Sequence, residues 1–383
     1  MNIAHAVHSL GLGGAQKVIA SILRGRQDPA LRYFVYSSED GVHREEIEEA
    51  GATVRILPRV LPKLDPLQVW RIAGALRRDR IDLLHGHLFG DSLHGLMAAR
   101  WRSWLGPRIP VVLTLHIGPE GWNDLQRRAY PWLLGHCDRA VACSESVQHN
   151  VHAAHPAATR VMETISNGIE VPRRFDLDDA RRSELRRTLG VADDAVVFAT
   201  VGRLSEQKGL TYLISAMARH VASHRDTPAR LVLLGEGELR GDLERQTRED
   251  GVAEHVVFAG FRDNVGELLQ VVDTVVFSSL YEGLPIALLE AMAAGRSLVC
   301  SDIPGNLDAV RDDHEALVVR TADVDTLASA LDRITADETL RQRLGTAARQ
   351  RFEERFTAAA MVGRYEALYQ RLLAPDGSSS AER

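Results

Sequence analysis

The sequence predicts an α/β protein made of two doubly wound halves. Strand-like and helix-like segments alternate along most of its 383 residues, the pattern of βαβ units around parallel sheets. Several strand-like segments are unbroken apolar runs, VVFATV, LVLLG and TVVFSS among them. Such runs suit parallel strands covered by helices on both faces. The alternation occurs twice, on either side of a charge-dense stretch from Val171 to Asp194. The length fits two domains at ~150 residues each.

In the first half the expected strands are Asn2–Val7, Arg32–Ser37, Thr53–Leu57, Ile81–His85, Val111–Leu115, Arg139–Ala142 and Val161–Ile165. In the second they are Ala195–Val201, Arg230–Leu234, His255–Ala259, Thr274–Ser278, Ser297–Cys300 and Ala316–Val319. The domains then run over 1–170 and 195–355. Residues 171–194, with a proline at the second position, read as a linker leading into an exposed helix. Thr339 to Ala374 reads as helix, and 375–383 as a disordered polar tail.

Hydrophobic residues make up 45% of the chain and charged residues 26%, ordinary values for a globular protein. No run approaches the ~18 apolar residues that span a bilayer. The first residues enter a strand pattern without the n- and h-regions of a signal peptide. Cys137, Cys143 and Cys300 lack metal-type spacing and are odd in number. A reducing cytoplasm is therefore expected. The net charge of −6 gives no reason to expect nucleic acid, but it is unevenly spread. Residues 1–170 hold 19 Lys and Arg against 17 Asp and Glu, and the remainder 27 against 35. All five tryptophans lie in the first 132 residues.

The most informative segment is SSLYEGLPIALLEAMAAG, Ser278 to Gly295. It closes an apolar strand and enters a helix, with Pro285 expected in the first turn and Gly295 as the stop. Such a helix aims its N-terminus at the C-terminal edge of the sheet, where α/β folds bind ligands and phosphate is favoured. Gly283 permits close backbone approach. Glu282 and Glu290 flank this anion site. Taken singly, each is an ordinary loop or helix charge. Together they need a partner other than the anion, and hydroxyl groups fit, because an ionised carboxylate only accepts hydrogen bonds. A ligand with both phosphate and polyol is a nucleotide sugar.

A second phosphate element follows the first strand of the second half. Gly202 and Gly209 bound a loop bracketed by Arg203 and Lys208. Arginine forks onto two phosphate oxygens, and lysine acts as a point charge. This loop is expected to be exposed. The loop GLGGAQ near the N-terminus resembles a dinucleotide fingerprint but fails it at Gln16. Gly13 and Gly14 can still bring backbone close to a ligand. LLGEGELR, at Leu233–Arg240, carries only an isolated Gly-x-Gly.

His85 and His87 at one strand end, with His116 ending another, form the rival constellation of a metal-dependent hydrolase. That reading leaves the second half without a task. Packing or loop hydrogen bonding is favoured for His85 and His87, and a ligand-facing place for His116. Asp176-Leu177-Asp178 and Asp323-Val324-Asp325 have an Asp-x-Asp form but read as solvated charges. The segments 69–80 and 97–108 combine tryptophan with arginine at helical spacing, the composition of an anionic membrane contact. The alternative is that Trp70, Trp101 and Trp104 are core residues.

In order, GLGGAQ, TLH, VACSESV, SNGIE, VGRLSEQKG, LLGEGELR, VVFAGFRDNVGELL and SSLYEGLPIALLEAMAAGRSLVCSDIPGN resemble glycosyltransferase family 4, retaining enzymes of the GT-B fold. The resemblance covers nearly the whole chain. It implies two Rossmann-like domains facing a cleft, with the last helix, about 356–374, packing back on the first domain. It implies that Arg203 and Lys208 hold a donor pyrophosphate, Glu290 the ribose, and Glu282 with Gly283 and Leu284 the donor sugar. Gly260, Phe261 and Arg262 would lie by the base, with Gly13, Gly14 and His116 closing the site. It further implies a UDP-sugar donor, no cofactor or metal, and a surface-glycan or lipid-linked acceptor. Asp308, where relatives often carry Glu, and HEALVV, where they often have an Asn-Gly turn, depart from the pattern. A sugar-nucleotide epimerase or a non-catalytic sensor of the same fold remains open on sequence.

Overall fold

The computed structural model describes residues 1–11, 13–61, 64–103, 106–170, 177–224 and 228–374. The chain divides into two compact units, Met1–Glu170 with Phe356–Arg383, and Val171–Arg355.

The described strands of the first unit are β1 (Asn2–Ser9), β2 (Arg32–Glu39), β3 (Thr53–Ile56), β4 (Leu83–His87), β5 (Val111–Leu115), β6 (Arg139–Ala142) and β7 (Met162–Thr164). They form one parallel sheet in the order β3-β2-β1-β4-β5-β6-β7. Every residue of β4 and β5 is buried, as expected for strands covered on both faces. His85 therefore lies inside the strand, while His87 is its last residue, at the strand end as expected. In register, His85 stands opposite His5 of β1, and His87 opposite Thr114 of β5.

The single helix expected from Thr339 is two helices, Glu338–Arg355 in the second unit and Ala358–Leu373 in the first. The break has a local cause. Thr357 is extended, and its hydroxyl accepts from the Ala360 N–H to cap the new helix. That helix belongs to the first unit through backbone and side chain alike. The Ala358 N–H donates to the Ile169 carbonyl at 2.7 Å. The Glu366 carboxylate accepts from the backbone N–H groups of Gln27 and Asp28 at 2.9 and 3.1 Å. Tyr365 and Tyr369 are fully buried.

The second unit holds β8 (Val196–Val201), β9 (Ala229–Leu234), β10 (Val256–Gly260), β11 (Thr274–Phe277), β12 (Ser297–Ser301) and β13 (Leu317–Val319). This sheet is also parallel, in the order β10-β9-β8-β11-β12-β13. Leu213, Ile214 and Met217 of the helix Leu210–Ser223 pack with Leu327, Leu331 and Ile334 of the helix Val324–Ala336 in a core that includes Phe198.

The stretch expected as a linker belongs, in its described part, to this second unit. Asp178 caps the helix Asp179–Thr188 by accepting from the Arg181 N–H at 2.7 Å. Arg186 is buried and donates to the carbonyls of Ala192, Ala195 and Val271. Residues 171–176, with Asp176, lie outside the described residues, as do Trp104 and the tail 375–383.

Candidate active site

In the second sheet the strand order reverses between β8 and β11. At such a point the two following loops diverge and leave a crevice at the C-terminal edge. Most of the expected donor-binding residues stand along that edge. The loop after β8 carries Arg203 and Lys208, and the loop after β11 carries Glu282, Gly283 and Leu284. Gly260, Phe261 and Arg262 stand at the end of β10, on the sheet's border.

The two central loops are stitched together. The Leu280 N–H donates to the Gln207 carbonyl, and the Ser278 hydroxyl to the Lys208 carbonyl, both at 2.8 Å. Gly209 has φ +58°, and a Cβ there would collide with the Ser278 carbonyl. Gly235, at the end of β9 with φ +146°, has no room for a Cβ against the Gly202 carbonyl. These two glycines let adjacent strand ends close up.

Lys208 Nζ donates to Glu282 Oε1 at 2.5 Å. The same oxygen accepts from the Ser279 hydroxyl at 2.9 Å, and Oε2 from Gln207 Nε2 at 3.1 Å. The Lys208 side chain is only 19% exposed and that of Glu282 10%. The expectation of an exposed loop thus fails at Lys208, because Glu282 draws it in. It holds at Arg203, which is exposed. Among the described residues the Arg203 guanidinium has no ion-pair partner, so one cation stands open while the other is paired.

The helix after this loop is Ile286–Ala293, with Pro285 as its N-cap and not in its first turn. Pro285 has φ −66° and ψ 124°, and its carbonyl accepts from Leu288 and Leu289. Gly295, at φ +67°, ends the helix as expected, with its N–H on the Met292 carbonyl and that of Arg296 on Ala291. Glu290 is half-buried in the middle of this helix. Phe261 is 47% exposed, an unusual state for phenylalanine directly at a strand end.

Sequence reasoning missed four residues. Gln207 and Ser279 hold the Glu282 carboxylate, and Glu236 and Arg240 form an ion pair in the loop and helix after β9. The first two flank residues that were singled out, which is the signal that could have found them. LLGEGELR was read only as a weak glycine pair.

In the first sheet the order reverses between β1 and β4. Gly13 precedes the helix Gly14–Arg24 in extended backbone. Gln16, the residue that breaks the fingerprint, is buried and donates to the Ser9 carbonyl at 2.7 Å. It braces the loop. His116 follows β5, half-buried. Its Nε2 lies 3.2 Å from His87 Nδ1, and His87 Nε2 lies 2.9 Å from His5 Nδ1. His85 is held by the Tyr369 hydroxyl and Thr114 Oγ1, both at 2.7 Å. Burial pushes the His5 pKa down to about 3 and that of His116 to about 4, and lowers His85 and His87 as well.

These contacts revise the rival metal constellation. The ligand atoms that come together are those of His5, His85 and His87, with His116 hydrogen-bonded beyond them. A cation there would have to break the hydrogen bonds that already occupy both ring nitrogens of His85 and of His87. A second group, His220, His224 and Asp332, ties the helix Leu210–Ser223 to Val324–Ala336. Asp323 caps the latter helix, accepting from Asp325 and Thr326 at 3.0 Å each. In the tryptophan-bearing segments Trp70 is 60% and Trp101 42% exposed, so neither is the core residue the alternative required.

Two doubly wound units in one chain, with a charged set at the second switch point, define the GT-B class of fold. The profile described as Glycosyl transferases group 1 matches residues 181–351, and that described as Glycosyltransferase Family 4 matches 12–173. An uncharacterised glycosyltransferase of Methanocaldococcus jannaschii is 30% identical over 297 residues, 74% of each chain. The UDP-Gal:alpha-D-GlcNAc-diphosphoundecaprenol alpha-1,3-galactosyltransferase of Escherichia coli is 26% identical over 69% of each. The crystal structure of Anabaena HepE in complex with UDP and glucose matches with a TM-score of 0.85 at 22% identity, over 97% of this chain and 100% of that one. The chain belongs to this glycosyltransferase family, and it is a glycosyl-transferring enzyme of GT-B fold.

Proposed function

We propose that the enzyme moves a sugar from a UDP-sugar to a glycan or lipid-linked acceptor of cell-surface polysaccharide synthesis, with retention at the anomeric carbon. The observation that carries this reading is the arrangement at the second switch point. A free guanidinium, Arg203, stands beside a lysine held by a carboxylate. An incoming diphosphate competes with Glu282 for Lys208. Once Lys208 turns to phosphate, Glu282 is released to accept hydrogen bonds from sugar hydroxyls. One exchange thus converts a resting ion pair into two ligand contacts. Arg203 and Lys208 then stabilise the charge that develops on the leaving diphosphate, without a divalent metal. Glu290 takes the ribose hydroxyls, Gly283 and Leu284 the sugar, and Gly260, Phe261 and Arg262 the base. Within the first unit, Gly13, Gly14 and His116 are the residues proposed to meet a ligand.

The relative from Escherichia coli, whose name specifies a UDP-sugar and a diphosphoundecaprenol-linked acceptor, supports the substrate classes. So does the UDP in the HepE complex. A lipid-linked acceptor calls for a protein that meets the membrane from the cytoplasm. No helix among the described residues is long and apolar enough to cross one. The helix Pro66–Arg78 and its approach expose Leu61, Leu64, Leu67 and Trp70, followed by Arg77, Arg78 and Arg80. This is an apolar and basic surface suited to anionic headgroups. The second segment, 97–108, contributes the exposed Trp101. Its Arg100 and Arg108 are engaged by Asp138. Turnover assays with a panel of UDP-sugars, with and without isoprenoid-linked acceptors, test the reading. Release of UDP that depends on acceptor supports it, and no turnover with any UDP-sugar contradicts it.

A further inference from the structure

His116, His87 and His5 form a continuous line of ring nitrogens. His116 Nε2 meets His87 Nδ1 at 3.2 Å, and His87 Nε2 meets His5 Nδ1 at 2.9 Å. The rings stack as they go, with centroids 5.5 Å apart for His87 and His116 and 5.1 Å for His5 and His87. His5 and His87 are fully buried. Buried imidazoles without a carboxylate partner are neutral, so each ring carries one N–H and one bare nitrogen. Every N···N contact needs one donor and one acceptor. The line therefore has only two polarities, and choosing one fixes all three tautomers.

In the first polarity protons point inward. His116 donates from Nε2, His87 donates from Nε2, and His5 is left with an N–H at Nε2. That atom is shut off from solvent and, among the described residues, has no hydrogen-bond partner. A buried N–H without an acceptor is rare in folded proteins, rarer than an under-used acceptor. In the second polarity protons point outward. His5 donates from Nδ1, His87 donates from Nδ1, and His116 accepts at Nε2. The atom left at the buried end is then a bare nitrogen. The N–H left over sits on His116 Nδ1, on a half-buried ring, where solvent or a ligand oxygen can accept it.

We infer that His5 and His87 are positioning residues that lock His116 in its Nδ1–H tautomer, so that it presents a hydrogen-bond donor to an oxygen of the substrate. Free histidine favours the other tautomer, so the line imposes a state the side chain does not choose alone. The substrate contact rests on the functional reading above, while the tautomer does not.

The two parts can be tested apart. The full chain labelled with ¹⁵N-histidine is examined by long-range ¹H–¹⁵N correlation near neutral pH, with His116 assigned from a His116→Phe variant. A pyrrole-type Nδ1 and a pyridine-type Nε2 at His116 are expected, and the reverse assignment overturns the inference. His87→Phe should return His116 to the Nε2–H form and lower kcat about 10–100-fold, with KM for the sugar nucleotide little changed. His87→Asn should restore most of the rate, because its amide nitrogen takes the place of Nδ1 and donates to His116. Should His87→Phe fail to fold, the spectrum of the unaltered protein still decides. The expected tautomer with full turnover in His116→Phe would support the line of nitrogens and remove His116 from the substrate site.

Discussion

Lys208 and Arg203 look alike in the sequence, two cations flanking one loop, yet their surroundings separate them. Replacing either by alanine should lower kcat by about 10²–10³, the effect of removing a charge partner of the transition state. Their stability effects should differ. Arg203→Ala removes an exposed side chain and should leave Tm unchanged. Lys208→Ala leaves a largely buried carboxylate with hydrogen bonds but no counter-charge, and should cost about 1–2 kcal/mol. Thermal melts beside steady-state rates check both. Equal Tm losses in the two variants would contradict the pairing.

The buried histidines give a pH signature. His5 has its pKa pushed down to about 3 by burial, from 6.5. Between these values the unfolded chain binds the proton and the native chain does not. Stability from this site is therefore complete above about pH 6.5 and lost as pH falls, by about 2 kcal/mol at pH 5. Asp91, raised to about 6 mainly by burial, works in the opposite direction over part of that range. The informative quantity is thus the difference between the natural protein and His5→Phe. The variant should lose less stability between pH 7 and pH 5 in denaturant titrations.

At the scale of elements, most of the fold was legible because parallel strands write themselves as apolar runs. All the expected strands exist, with ends shifted by up to two residues, and Val111–Leu115 and Arg139–Ala142 agree at both ends. What escaped depended on contacts distant in sequence. That His5 of β1 joins His87 and His116 follows only from strand order, and the Lys208–Glu282 pair joins residues from two different loops. The helix expected to follow the linker is Asp179–Thr188. The break at Thr357 was hidden from composition, because the charge-dense run before it continues the helical pattern, although the family resemblance placed the last helix at about 356–374. The Asp-x-Asp segments show the same limit. Asp323 caps a helix, so Asp323→Ala should cost about 1 kcal/mol of stability and leave turnover intact. Gly209→Ala should cost more, because φ +58° and the Ser278 carbonyl both oppose a Cβ. If Asp323→Ala abolished turnover without destabilising the protein, the capping role would be wrong.

At the scale of the whole molecule, the uneven charge and the clustered tryptophans belong to one proposal. The apolar and arginine-bearing surface around the helix Pro66–Arg78 lies in the unit with the positive balance. Co-sedimentation with vesicles should require anionic lipid, weaken with salt, and fall when Arg77, Arg78 and Arg80 become serine. Protein remaining in the supernatant with anionic vesicles at low salt would rule this surface out as a membrane site. The central claim is that a charged pair and a free arginine, with no metal, hold the diphosphate of a sugar nucleotide. Calorimetric titration of UDP in the presence of EDTA tests it most directly. Binding should be saturable, survive chelation and be strongly weakened in both Arg203→Ala and Lys208→Ala. Binding that disappears with EDTA and returns with a divalent cation, or that is unaffected by either substitution, would contradict it.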